Sequence, residues 1–369
     1  MCVTHIAKTG GTSLLHELSA RNITFYGPEI CAGDVFKTSK CHDKEGKSFF
    51  ATFLRMPRHH VLSQYYQCAY SDFAVDPKHA PPLPVEMKPH PATQRSLVRS
   101  FSLWVDYFAR DQNFGQLIHL NGCFKCYNPT NMQARTMVCG ASTQKTYGKM
   151  QHSGGHVQSY PTREWNATLD RFDVVGITEL FLESLCVILF KFSGVMERQC
   201  FCDTLTKDKS ISRQAGKRPL QHNDRGGHKR ARMLDLGELT LTTLAQIDNL
   251  THTDELLYIE GLRRLLLQIT QVEEELGRPI LCPQDREYYS ETGLLVSAAQ
   301  NPSRPATQRN GKKKKFITET AGRIYSRFLI SSPTNRCVFT GTQRHADFID
   351  GHDRETRGAK KPCVCRRIT

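Results

Sequence analysis

No stretch of this 369-residue sequence is long and apolar enough to cross a bilayer. The most apolar run, residues 180–192, contains Glu183 and falls well short of the ~20 apolar residues that a spanning helix needs. It predicts a buried core helix instead. No charged n-region with an apolar h-region precedes the first motif, which begins at Thr4, so a signal or membrane anchor is expected to lie outside this chain. Zinc-finger spacing is also missing. Cys123-x-x-Cys126 and Cys200-x-Cys202 have no second CxxC or His pair to complete a four-ligand set, and no metal is expected. RNA-binding aromatic signatures and basic heptads are absent, which leaves no motif for a nucleic-acid partner. A Walker A loop, G-x-x-x-x-G-K-[ST], does not occur, and no acidic residue stands out as a magnesium holder. Both absences weigh against a P-loop kinase or nucleotidase.

What is present is charge, thiols and glycine turns. Fifty Lys and Arg face 36 Asp and Glu, a net +14 that attracts polyanions, nucleotides or anionic surfaces without choosing among them. The excess is local: residues 207–232 hold nine basic and two acidic side chains, and residues 301–369 hold sixteen and five. The rest of the chain is therefore slightly acidic. Fourteen cysteines, with N-x-[ST] sequons at Asn22, Asn166 and Asn249, point to an oxidising, glycosylating compartment in which disulfides form. Spacing alone does not give their connectivity.

The first seventy residues alternate as an α/β domain does. A short apolar run, residues 2–6, leads through a glycine turn into Ser13-Leu-Leu-His-Glu-Leu, with apolar positions at helical spacing. Residues 48–54 are aromatic, β-branched and continuous, as in a buried parallel strand, and Arg55-Met-Pro-Arg leads to a helix over residues 61–70. A third β-turn-α unit follows at Phe172-Asp-Val-Val-Gly-Ile-Thr-Glu, where Thr178 is placed to cap the helix over 179–192. Six prolines between Asp76 and Pro91 predict a loop or insertion. Helices are also expected from 102, over 131–139, and through 234–276, where apolar residues recur at helical spacing. These elements predict an α/β domain over 1–282 with a central, mostly parallel sheet flanked by helices. A basic tail, 283–369, is expected to lack order.

His5-Ile-Ala-Lys8-Thr9-Gly10-Gly11-Thr12-Ser13 ends a strand and opens a helix, where backbone N–H groups and the helix dipole converge on an anion. The glycines let the backbone curl towards a ligand. Lys8 adds a positive charge, and Thr9, Thr12 and Ser13 add hydroxyl donors, which together suit a tetrahedral oxyanion. Arg55 ends the second strand, with Ser63 eight residues on in the following helix, so both belong to the carboxyl edge of the same sheet. Two anion sites on one edge suit a nucleotide with two separate phosphate groups.

With these motifs the chain resembles the Golgi carbohydrate sulfotransferases, most closely the heparan sulfate 6-O- and 2-O-sulfotransferases. The His5–Ser13 loop is similar to their 5′-phosphosulfate loop, and Leu54-Arg-Met-Pro-Arg-His-His-Val-Leu-Ser-Gln-Tyr-Tyr to their 3′-phosphate element. Asn131-Met-Gln-Ala-Arg135 and Val175-Gly-Ile-Thr-Glu179 follow in the same order. The resemblance implies a sulfotransferase fold, 3′-phosphoadenosine 5′-phosphosulfate (PAPS) as sulfuryl donor, a carbohydrate hydroxyl as acceptor, no metal, and a Golgi lumenal location. It implies that Lys8 to Ser13 hold the 5′-phosphosulfate and that Arg55 and Ser63 hold the 3′-phosphate. Lys229 and Arg230, in a basic glycine-containing loop over 217–232, are implied to close over the nucleotide. A solvated charge run is the alternative there. In-line sulfuryl transfer places charge on the leaving oxygen, a task for Lys8, and requires a base for the acceptor hydroxyl. His42 and Glu29 are the candidate bases. His59 and His60 are expected to be exposed or to touch nucleotide. The competing classes are a nucleotide kinase or nucleotidase, and a noncatalytic polyanion binder.

Overall fold

The computed structural model describes residues 1–27, 32–41, 48–70, 94–110, 127, 129–138, 162–202 and 234–291. Three strands, β1 (Cys2–Thr4), β2 (Phe50–Leu54) and β3 (Val174–Ile177), form a parallel sheet in the order β1-β2-β3. Its register pairs Cys2 with Phe50, Thr52 with Val175 and Leu54 with Ile177. Tyr26 bridges the free edge of β1 through its carbonyl, which accepts from Val3 N at 2.8 Å.

Between and after the strands lie α1 (Gly11–Ala20), α2 (Ala32–Val35), α3 (Pro57–Tyr70), α4 (Gln94–Arg110), α5 (Met132–Val138), α6 (Thr162–Leu169), α7 (Phe181–Ser193), α8 (Leu241–Leu250), α9 (His252–Leu276) and α10 (Pro283–Glu291). Side chains alternate across a strand, and partners in a parallel ladder share a face. Leu54, Val175 and Ile177 therefore line one face, where Gly261 of α9 approaches so closely that an added Cβ would lie 2.5 Å from Leu54 Cδ1. Phe53 lies on the other face, its ring 5.3 Å from that of Phe181 in α7. The sheet thus carries a helix on each side, and its strands are buried except at half-buried Phe50.

A second apolar cluster joins α3, α4 and α8 around Tyr65, Phe101 and Trp104. The bidentate pair of Arg58 with Asp248, at 2.7 and 2.6 Å, ties α3 to α8. Disulfides Cys2–Cys41, Cys186–Cys200 and Cys202–Cys282 staple the chain, and they resolve Cys200-x-Cys202 into two separate partners rather than a metal pair.

Three expectations change. Thr178 caps no helix: α7 starts at Phe181, after a 3₁₀ turn over Thr178–Leu180, and the Thr178 hydroxyl is used elsewhere. The helical run over 234–276 breaks at Thr251, because Asn131 takes the Leu250 carbonyl with its N–H and caps the next helix with its Oδ1. Order also continues past 282: α10 follows, and its Tyr289 packs on the main core. Cys123, Cys126, the proline-rich stretch over 76–91 and residues 292–369 lie outside the described residues. Among those described, no helix is long and apolar enough to cross a membrane.

Candidate anion site at the carboxyl edge of the sheet

The loop after β1 is held in a strained form. Lys8 has φ 67° and Gly10 φ 87°, and a left-handed lysine persists only where its surroundings enforce it. Three contacts do so here. Thr9 turns back on Ile6, its hydroxyl donating to the Ile6 carbonyl at 2.9 Å. Arg55 Nη1 donates to the Lys8 carbonyl at 3.1 Å. His60 Nε2 donates to the Ala7 carbonyl at 2.8 Å, which fixes the tautomer and leaves Nδ1 to accept from Gln64 at 3.0 Å. Gly11 is required for close approach, since a Cβ there would lie 2.0 Å from His5 Cδ2. Gly10 starts α1 without a side-chain cap, and no acidic residue occupies the first turn, so those N–H groups face the loop with no carboxylate among them.

The three strand ends are sewn together by one hydroxyl. Thr178 Oγ1 lies 2.5 Å from the Thr9 carbonyl and 3.0 Å from the Leu54 carbonyl, a shared donation that joins β3 to the ends of β1 and β2. Glu179 Oε1 accepts from Met56 N at 3.0 Å and lies 3.6 Å from His59 Nδ1. Gln133 grips the Arg55 backbone twice: its Oε1 accepts from Arg55 N at 2.9 Å and its Nε2 donates to Arg55 O at 2.8 Å.

Electrostatically the site is a cluster of cations around neutral imidazoles. Burial, then Lys8, pulls His5 down to about 4. His60 is wholly buried and falls to about 3, first by desolvation, with Arg55, Lys8 and Arg135 all disfavouring its charge. Burial also pulls the Arg55 guanidinium below its ordinary value, opposed by Glu179. Arg55 Nε is buried with no hydrogen-bond partner, an orphaned donor beside the loop. Lys8 Nζ rests on Gln67 Oε1 at 3.0 Å, a neutral acceptor.

Lys8, Thr9, Gly10, Gly11, Thr12, Ser13 and Arg55 thus come together as a continuous edge. Ser63 lies half-buried one turn beyond His59 and His60 on α3. His42, Glu29, Lys229 and Arg230 lie outside the described residues. Exposure does not describe His60, because its ring is a structural clamp; His59 remains partly exposed, beside Glu179. Sequence reasoning missed Gln133, the clamp role of His60 and the stitch made by Thr178. No protein-family model matches the chain, and neither a curated protein nor a solved structure matches it.

Proposed function

We propose that the chain is a PAPS-dependent sulfotransferase that moves a sulfuryl group to a carbohydrate hydroxyl, with the sulfotransferase variant of the three-layer fold. The observation that carries this reading is the junction of Lys8 and Arg55 at the carboxyl edge, with Arg55 donating to the Lys8 carbonyl and keeping a buried Nε–H unused. The residues present suit a phosphosulfate: a cationic, uncapped strand-to-helix turn and orphaned guanidinium chemistry beside it. PAPS supplies the activated sulfuryl group.

The chain's own residues supply position and charge. Lys8, held in place by the left-handed loop, stabilises charge on the leaving oxygen, and the first-turn N–H groups of α1 with Thr12 and Ser13 orient the phosphosulfate. Arg55 and Ser63 take the 3′-phosphate, and Lys229 and Arg230 close over the nucleotide. His42 or Glu29 removes the acceptor proton. The Golgi lumen suits disulfides such as Cys2–Cys41, Cys186–Cys200 and Cys202–Cys282.

Incubation with radiolabelled PAPS and a panel of glycans tests this reading. It expects label on at least one glycan and its loss in Lys8→Met; label retained at the wild-type rate in Lys8→Met contradicts it. His42→Ala with near-full turnover removes His42 from the base role.

A further inference from the structure

The sequons at Asn22, Asn166 and Asn249 all fall among the described residues, and none belongs to the anion site. Glycan transfer uses the amide nitrogen of the Asn together with the hydroxyl two residues on, and the sugar must end in solvent once the chain has folded. The fold sorts the sequons by this requirement.

Asn22 follows α1 as the left-handed residue of a Schellman motif. Its N–H donates to the Ser19 carbonyl at 3.0 Å, and Ile23 N donates to the Leu18 carbonyl at 3.0 Å. Its φ of 56° is the left-handed value that this position requires. The motif turns Ile23 inward, where it packs with Leu18 on the main core, and leaves Asn22 and Thr24 exposed on either side of it. Backbone groups make this turn, and it does not call on the Asn22 amide. In Asn166-Ala167-Thr168, on α6, the exposed residue is instead the middle one, and Asn166 Oδ1 is buried, next in sequence to wholly buried Trp165. In Asn249-Leu250-Thr251 the Asn is exposed, but Thr251 is buried at the break between α8 and α9, its hydroxyl donating to the Ile247 carbonyl at 2.8 Å.

We infer that Asn22 is the preferred acceptor of an N-linked glycan. The inference rests on the lumenal reading, which disulfides such as Cys2–Cys41 support, and not on PAPS. The donor is an oligosaccharide on a lipid pyrophosphate. Asn22 Nδ2 attacks its anomeric carbon, a C–N bond forms, the bond from that carbon to the phosphate oxygen breaks, and the lipid pyrophosphate leaves with the electron pair while the amide gives up one proton. The first turn of α1 opens at the anion loop and Asn22 follows its last turn, about 15 Å further along the axis, so a glycan there leaves the loop open. The competing account is that Asn22 stands at this position only because Asn tolerates a left-handed backbone.

Expression of the full chain in eukaryotic cells, behind a secretion signal that is removed on entry, tests the inference. Digestion with peptide N-glycosidase in heavy-oxygen water converts each glycosylated Asn to labelled Asp, which peptide mapping reads site by site in retained and secreted protein alike. Label is expected at Asn22 at higher occupancy than at Asn166 or Asn249. Thr24→Val, which keeps the shape of the side chain, is expected to abolish label at Asn22, and Thr24→Ser to retain it. A bare Asn22, label there that survives Thr24→Val, or occupancy at Asn166 or Asn249 equal to or above that at Asn22 overturns the inference. Because the signal enforces entry to the lumen, a bare Asn22 counts against the inference and not against the location. A chain that its own cells keep outside the lumen overturns the lumenal reading and the inference together. Absence of sulfuryl transfer by protein that carries the glycan counts against the PAPS reading alone.

Discussion

His60 is a buried imidazole that clamps the Ala7 carbonyl from beneath the anion loop. Its folded pKa, about 3, lies below the unfolded value near 6.5, so the stability it contributes is complete above pH 6.5 and declines as pH falls towards 3. The loss attributable to His60 is about 2 kcal/mol between pH 8 and pH 5. Asp254 and Glu255, raised to about 7 by burial, act in the opposite sense and gain stability as pH falls below 7. The informative quantity is therefore the stability difference between wild type and His60→Gln, measured by urea unfolding; it is expected to shrink between pH 8 and pH 5. A difference independent of pH contradicts a neutral buried His60. Thr178 makes a second prediction at this scale. Thr178→Val removes the shared donor from two strand-end carbonyls and is expected to cost about 1 to 3 kcal/mol. A loss below about 0.3 kcal/mol would show that water replaces the hydroxyl.

Individual residues were legible where the chemistry was contiguous. The His5–Ser13 loop occupies one stretch of sequence, and its left-handed Lys8 and Gly10 follow from one turn. The sequence position of Thr178 fits an N-cap, whereas its hydroxyl's partners lie 169 and 124 residues away. Gln133 reaches Arg55 across 78 residues, a pairing with no local signature. His42 and Glu29 follow from residue type and order along the chain alone, and both lie outside the described residues.

At the scale of elements, apolar continuity identified β2 and β3, and helical spacing found α7 and α9. Boundaries moved where side chains from elsewhere intervened, as Asn131 does at Thr251 between α8 and α9. The sheet also depends on a vacancy that hydropathy does not reveal. Gly176 pairs with Phe53 in the ladder, and an added Cβ would lie 2.7 Å from the carbons of the Phe53 ring, which is itself packed on Phe181. A ring held on both sides cannot yield far. Gly176→Ala is expected to destabilise by about 1 to 3 kcal/mol, the usual cost of overpacking, as read by thermal or urea unfolding. A neutral or stabilising result would mean that the sheet and α7 separate more easily than their packing implies.

Across the whole molecule, the net charge of +14 describes two basic segments rather than the site, which rests on a few cations on one sheet edge. The cysteine count was informative in kind but not in pairing. Cys202–Cys282 closes a separation of 80 residues and anchors α10 beside the core. Its removal by Cys202→Ser/Cys282→Ser is expected to lower stability by about 4 kcal/mol through the freed unfolded chain. Stability unchanged in that variant under nonreducing conditions would contradict the staple.

We propose that the strand edge holding Lys8 and Arg55 binds a nucleotide bearing a 3′-phosphate and a 5′-phosphosulfate. It is tested most directly by melting temperature, because a ligand that binds only the folded state stabilises it by mass action, about 2.7 kcal/mol at a hundredfold excess over Kd. Adenosine 3′,5′-bisphosphate is expected to raise the melting temperature by several degrees, and ATP with magnesium to leave it unchanged; stabilisation by ATP with magnesium and none by the bisphosphate would refute a PAPS site at this edge.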